Sequence, residues 1–134
     1  MRSFHLQVVT PDGAKFDGMV QSLLLRTDDG DVEILAMHAD YAASVGVGRA
    51  RIKNEAGEDI YASASGGFIT VCRGEVKLIA TTFELASEID LNRAKDAAER
   101  AKAALDIAKN ERDERIAKAK LARAVNHIDI ASLK

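Results

Sequence analysis

The chain is poor in the residues that usually announce a chemistry. Among 134 residues there is one cysteine, one proline and no tryptophan, and only 4% are aromatic. With Cys72 alone, no disulfide can close within the chain, and a reducing compartment is the simplest reading. The same single cysteine, with His5, His38 and His127 at no metal-ligand spacing, leaves nothing from which to build a structural zinc site. Scarce aromatics argue against a deep stacking pocket for a small ligand. No apolar run approaches the roughly 20 residues needed to span a bilayer. The opening Met1-Arg2-Ser3-Phe4-His5 lacks the apolar core of a signal peptide, so a soluble, intracellular protein is expected. A formal net charge of −2 does not suit a general nucleic-acid binder. No Gly-rich phosphate loop and no Ser/His/Asp pairing with local support is present, and Cys72 closes an apolar strand as packing rather than as a nucleophile.

What is present divides the chain in two. Residues 1–87 carry eight Lys/Arg against twelve Asp/Glu, and residues 88–134 carry eleven against nine, balances of −4 and +2. The halves therefore face different surfaces or partners. In the first, Phe4, Leu6 and Val8 alternate with polar residues, as on a strand with one buried face. Thr10-Pro11-Asp12-Gly13 reads as a turn. Strands are expected over 20–26, 49–53, 60–64, 68–72 and 75–80, the last two joined at Arg73-Gly74. Turn signals at this density predict an antiparallel β-sandwich or barrel.

After Thr82 the period changes. Leu91, Ala94, Ala98, Ala101, Leu105 and Ala108 form one helical stripe, with Asp90 placed as its N-cap. The stripe stops in the polar run Lys109–Arg115 and resumes out of phase at Ile116/Ala117, Leu121, Ala124/Val125 and Ile128. The phase slip favours two helices folded back on each other over one long helix. Alanine stripes let helix axes approach closely but bury little area per residue, so the pair is expected to be held weakly.

Three segments carry a resemblance. Phe4-x-Leu6-x-Val8-Val9-Thr10-Pro11-Asp12-Gly13 is similar to the start of the epsilon subunit of bacterial F-type ATP synthases. Ser65-Gly66-Gly67-Phe68 resembles that family's glycine pair before a central strand. Ile89-Asp90-Leu91-Asn92-Arg93-Ala94 resembles the Ile/Leu-Asp-x-x-Arg-Ala motif that opens its helical half. Order, spacing and total length agree as well. The resemblance implies an α+β protein, with an N-terminal antiparallel β-sandwich over residues 1–86 and a C-terminal antiparallel two-helix hairpin over 87–134. It implies a non-catalytic subunit that needs no cofactor. The sandwich would dock on the gamma shaft and the membrane c-ring, and the helical arm would reach the catalytic beta subunit and inhibit ATP hydrolysis. The setting would be peripheral, on the cytoplasmic side of the bacterial cell membrane. The chain departs from the family pattern at Glu33, where glycine is usual, and at Ala36-Met37, where Pro-Gly usually precedes His38, which predicts a different path for that loop. Thr81-Thr82 also stand where an Ala-acid pair is more usual.

The resemblance further implies ATP as a regulatory ligand, held by Glu84, Asp90, Arg93, Arg100 and Arg123, with His127 where the family has Arg. Guanidinium groups suit a triphosphate because their bonds to phosphate oxygens are directional and bidentate. An N-cap with a local ion pair would by itself justify Asp90 and Arg93. Arg115, Lys118, Lys120 and Arg123 lie in a stretch to Ile128 without an acid, which points to an acidic partner surface rather than only to a solvated helix face. His38 is a further candidate contact, with the shaft. Two other readings compete: a free-standing nucleotide-sensing module, and a coiled-coil adaptor with a β cap.

Overall fold

The computed structural model describes residues 2–133. The chain divides into two compact units, Met1–Leu85 and Ala86–Lys134.

The first unit is built of strands: β1 (Phe4–Thr10), β2 (Gly13–Thr27), β3 (Gly30–Leu35), β4 (Tyr41–Ser44), β5 (Gly48–Asn54), β6 (Asp59–Ser65), β7 (Phe68–Cys72), β8 (Glu75–Ile79) and β9 (Thr82–Leu85). They hydrogen-bond in the order β4-β7-β8-β1-β2-β5-β6-β9, with β3 paired to β2 beside this path. β1 lies antiparallel to β2 and parallel to β8, and the parallel ladder continues past β8 through the Ala80 N–H to the Val9 carbonyl at 3.0 Å.

Alternation places one face of each strand inside. Leu6 and Val8 of β1, Val20 and Leu23 of β2, Ile34, Ile52, Ile69 and Leu78 are wholly buried. Nothing but strands and turns is available in this unit to cover them, so the sheet must fold over and pack on itself. Of the antiparallel sandwich or barrel that the turn pattern predicted, this is the sandwich, with the β1–β8 pair parallel rather than antiparallel. Each such aliphatic side chain contributes about 1.5–3 kcal/mol through burial.

Three strands escape the sequence reading, and each is short or polar. β3 is Gly-Asp-Val-Glu-Ile-Leu, with Glu33 exposed, and β4 and β9 have only four residues each. Thr82 therefore does not mark an exit from the sheet. It opens β9, which pairs with β6.

The glycine pair has a steric cause. Gly66 and Gly67 have φ of +72° and +85°, and a Cβ on Gly67 would stand 1.8 Å from the Ile79 carbonyl oxygen. Only glycine allows the chain to enter β7 at this distance from the end of β8.

The second unit opens with a short 3-10 turn, Ala86–Glu88, and holds two helices, α1 (Leu91–Asp106) and α2 (Glu111–Ala131). Asp90 caps α1 as expected, its carboxylate accepting from the Arg93 N–H at 3.1 Å. The break between the helices is made by a second cap. The Asn110 side-chain oxygen accepts from the Asp113 N–H at 2.8 Å, while its amide nitrogen donates to the Asp113 carboxylate at 3.3 Å. The polar run is thus a helix start in its own right, and no glycine or proline is required. The helices pack along their length, and the short connection turns α2 back antiparallel to α1. Alanines make the contact: Ala94, Ala98 and Ala101 on α1, and Ala117 and Ala124 on α2, are buried. Leu91 at the head of the expected stripe is 37% exposed, and Ile116 and Val125 are the outward members of their pairs.

Candidate functional site

Because the residues between the helices are small, a groove runs along the hairpin. It has a volume of about 440 Å³ and a floor of Ala97, Ala101, Ala104 and Ala124, walled by Arg100, Lys120, Arg123 and His127. Three of the sequence-predicted nucleotide residues, Arg100, Arg123 and His127, are brought together here. Lys120, assigned by sequence to a partner surface, joins them. Among the described residues no carboxylate lines the groove, so its fixed cations add. Such a slot favours a multiply charged anion, with guanidinium forks supplying bidentate bonds. Among the described lining residues the one ring on which a base could stack is the His127 imidazole.

The other candidates are not among the residues that line this groove. Arg93 lies on the same stripe of α1 as Ala97 and Arg100, one turn or roughly 6 Å before Ala97 and roughly 10 Å before Arg100. Asp90 has one carboxylate oxygen engaged in capping α1. Glu84 sits on β9, opposite Ser63 of β6, in the sheet unit. Of the basic stretch on α2, Lys118 is held by Glu114 at 2.8 Å, one turn back. That bond keeps the Glu114 carboxyl below the usual glutamate range. Both partners are largely exposed, so the pair adds little stability. Lys120 and Arg123 face the groove, and Arg115 points to solvent.

His38 follows β3 in a tight turn closed by its own N–H to the Leu35 carbonyl at 3.2 Å. Its ring nitrogen Nδ1 bonds the Ala39 carbonyl at 2.7 Å, and the ring stands edge-on to Tyr41 at 5.7 Å. Met37 takes φ +66°. The departures from Pro-Gly therefore leave a glycine-type conformation at Met37 rather than removing it, at the usual cost of a side chain in the left-handed region.

One cluster was missed in the sequence. His5 on β1 bonds Asp17 of β2 through Nε2 at 2.5 Å and Glu75 of β8 through Nδ1 at 2.7 Å. Ionised carboxylates only accept, so the two bonds are made together by the protonated ring, in which both nitrogens donate. Its pKa is raised, first by the bond to Asp17 and then by that to Glu75. The signal was an outward-facing histidine on β1. Its partners depend on register, which a single strand does not disclose.

Comparison with known proteins settles the family. Residues 3–86 match the model of the ATP synthase delta/epsilon chain β-sandwich domain. The chain belongs to this family. Over 132 residues it is 39% identical to the ATP synthase epsilon chain of Halalkalibacterium halodurans, covering 98% of each. It is 34% identical to the epsilon chain of Bacillus cytotoxicus over the full length of both. It is also 34% identical to the sodium-ion-specific epsilon chain of Propionigenium modestum, over 98% of this chain and 95% of the other. A chain in the mitochondrial ATP synthase of Euglena gracilis shares the fold with a TM-score of 0.83 at 22% identity, covering 98% of this chain and 82% of that one. Like these epsilon chains, the protein is a non-catalytic subunit.

Proposed function

We propose that the protein acts in the central stalk of an F-type ATP synthase. Its β unit docks on the gamma shaft and the membrane c-ring, and its helix pair restrains ATP hydrolysis at the catalytic beta subunit. One observation carries this reading: the likeness to epsilon chains extends through both units, over 98% of each chain. A docking module alone would not need the helices. Among the described residues no helix is long and apolar enough to cross a membrane. On the proposed reading the membrane setting, peripheral and on the cytoplasmic side, comes through partners. The cationic groove supports ATP as a regulatory ligand of the folded hairpin, with Arg100 and Arg123 on the phosphates. With only the His127 ring beside it, the base would be held more loosely than the triphosphate.

The test is ATP hydrolysis by the parent complex, assembled with the full chain or with a chain ending at Leu85. The shortened chain should still co-purify with the gamma subunit, and hydrolysis should rise. Equal hydrolysis rates would remove the restraining role, and loss of the shortened chain from the complex would remove the docking role of the β unit. A free-standing nucleotide sensor, the competing reading, would bind ATP but never co-purify with gamma.

A further inference from the structure

The departures at Glu33, Ala36 and Met37 are not scattered in space. All three line one groove of about 400 Å³ on the outer face of the β unit. Its floor is Ser22. The pairing of β2 with β5 slips between Val20 and Ser22, so Val20 and Leu23 both turn into the core and Ser22 turns outward. Ser22 lies between Leu35 on β3 and Lys53 on β5, and both stand beside it in the groove. Although outward, it is only 3% exposed, and its hydroxyl has no hydrogen-bond partner among the described residues. A buried hydroxyl left unmade is costly and calls for an explanation.

The rim supplies one. Leu35 is 54% exposed and Met37 is 75% exposed, large apolar side chains with little of the chain's own structure over them. Of the charges, Lys53 is engaged with Asp59 at 3.4 Å and Glu33 with Arg51 at 3.3 Å. Arg2 is not committed in this way: its guanidinium contacts the sulfur of Met37, and it pairs with no carboxylate among the described residues. One uncommitted guanidinium, one unpartnered hydroxyl and two bare apolar side chains share one groove.

We infer that this groove docks a partner polypeptide segment that presents a carboxylate flanked by apolar side chains. The carboxylate would take the Arg2 guanidinium and the Ser22 hydroxyl, and its neighbours would cover Leu35 and Met37. Charge complementarity selects this occupant: Glu33 and Lys53 are each paired within the chain, so the uncompensated charge of the groove is Arg2, which a basic segment would repel. The inference rests on the reading of the β unit as a docking module. It adds which chemistry this chain, with its own residues at 33, 36 and 37, selects in its partner.

The test is an NMR titration of the full isotope-labelled chain with acetyl-Leu-Glu-Leu-amide and with the same peptide carrying Gln. The Glu peptide should give saturable shifts at the Ser22 amide and the Leu35 and Met37 methyls. Replacing Glu by Gln in the peptide, or making Arg2→Gln or Ser22→Ala in a chain of unchanged circular dichroism, should weaken binding about tenfold. Absent shifts at millimolar peptide, equal binding of both peptides, or indifference to Arg2→Gln would overturn the inference. Co-purification of the unmodified chain with the gamma subunit is read separately. If that succeeds while the titration fails, docking stands and this groove does not. If co-purification fails, the docking reading falls and the titration still judges the groove.

Discussion

Gly67→Ala separates two costs that glycine substitutions usually confound. At φ +85° an alanine must occupy the left-handed region, which costs about 1–2 kcal/mol. Its Cβ would also fall 1.8 Å from the Ile79 carbonyl oxygen, deep inside contact distance, and the obstacle is backbone rather than a flexible side chain. Relief is not local. Ile79 is paired with Phe68 in the β7–β8 ladder, the Gly67 carbonyl accepts from the Val45 N–H at 3.0 Å, and the next residue, Ala80, holds β1. Overpacking of this kind adds about 1–3 kcal/mol, so the total is about 2–5 kcal/mol, a large part of a domain's usual stability. Gly57→Ala is the control: its φ is +84°, but nothing lies within 4 Å of the added methyl, so only the conformational cost remains. Urea denaturation of the two variants beside the unmodified chain measures the difference. If Gly67→Ala loses no more stability than Gly57→Ala, the close approach to β8 is not what demands glycine.

Four further outcomes are expected. With a folded pKa raised above 6.5, His5 contributes stability fully present below about pH 6.5 and lost as pH rises through the raised value. Denaturation midpoints across that window should fall with pH in the unmodified chain and flatten in His5→Gln. Asn110→Ala removes the cap of α2 and should cost about 1 kcal/mol, seen as faster amide exchange from Glu111 through Glu114. Calorimetry on the whole chain should detect ATP, with Arg100→Ala or Arg123→Ala each weakening it by about tenfold, and no heat at millimolar ATP would retire the groove as a nucleotide site. Replacing Arg115, Lys118, Lys120 and Arg123 together by Ala keeps helix propensity high and should raise ATP hydrolysis by the parent complex. An unchanged rate would remove their role at an acidic partner surface.

The parts legible in the sequence were those governed by one element's own period. Alternation at Phe4, Leu6 and Val8 disclosed β1, and Asp90 disclosed the start of α1, because each signal is local. β3, β4 and β9 were not legible, since their pairing with β2, β7 and β6 rather than their own pattern makes them strands. The helix break was legible as a phase slip of the apolar stripe, while its local cause, the Asn110 cap, was not read. Of the nucleotide candidates, Arg100, Arg123 and His127 converge because they lie on facing stripes of α1 and α2. That Lys120 also faces the groove was not legible, because a charge run does not show which way a helix turns each residue. The three-strand contact of His5 needed registers that no local pattern supplies.

The groove on the hairpin and the basic stretch of α2 draw on the same side chains. With the helices packed, Lys120 and Arg123 face Arg100 across a floor of alanine. Like charges in this slot oppose closure, and alanine contacts offset that repulsion with little buried area per residue. An anion in the slot would reverse the balance, binding the folded pair and not the separated one, and would stabilise it in proportion to occupancy. An acidic surface reached by a detached α2 would compete for those cations, so each occupant would exclude the other. On the proposed reading the hairpin would therefore need no hinge specialised for switching. Weak packing and cations shared between two anionic occupants would suffice, and rising salt should weaken the preference for either.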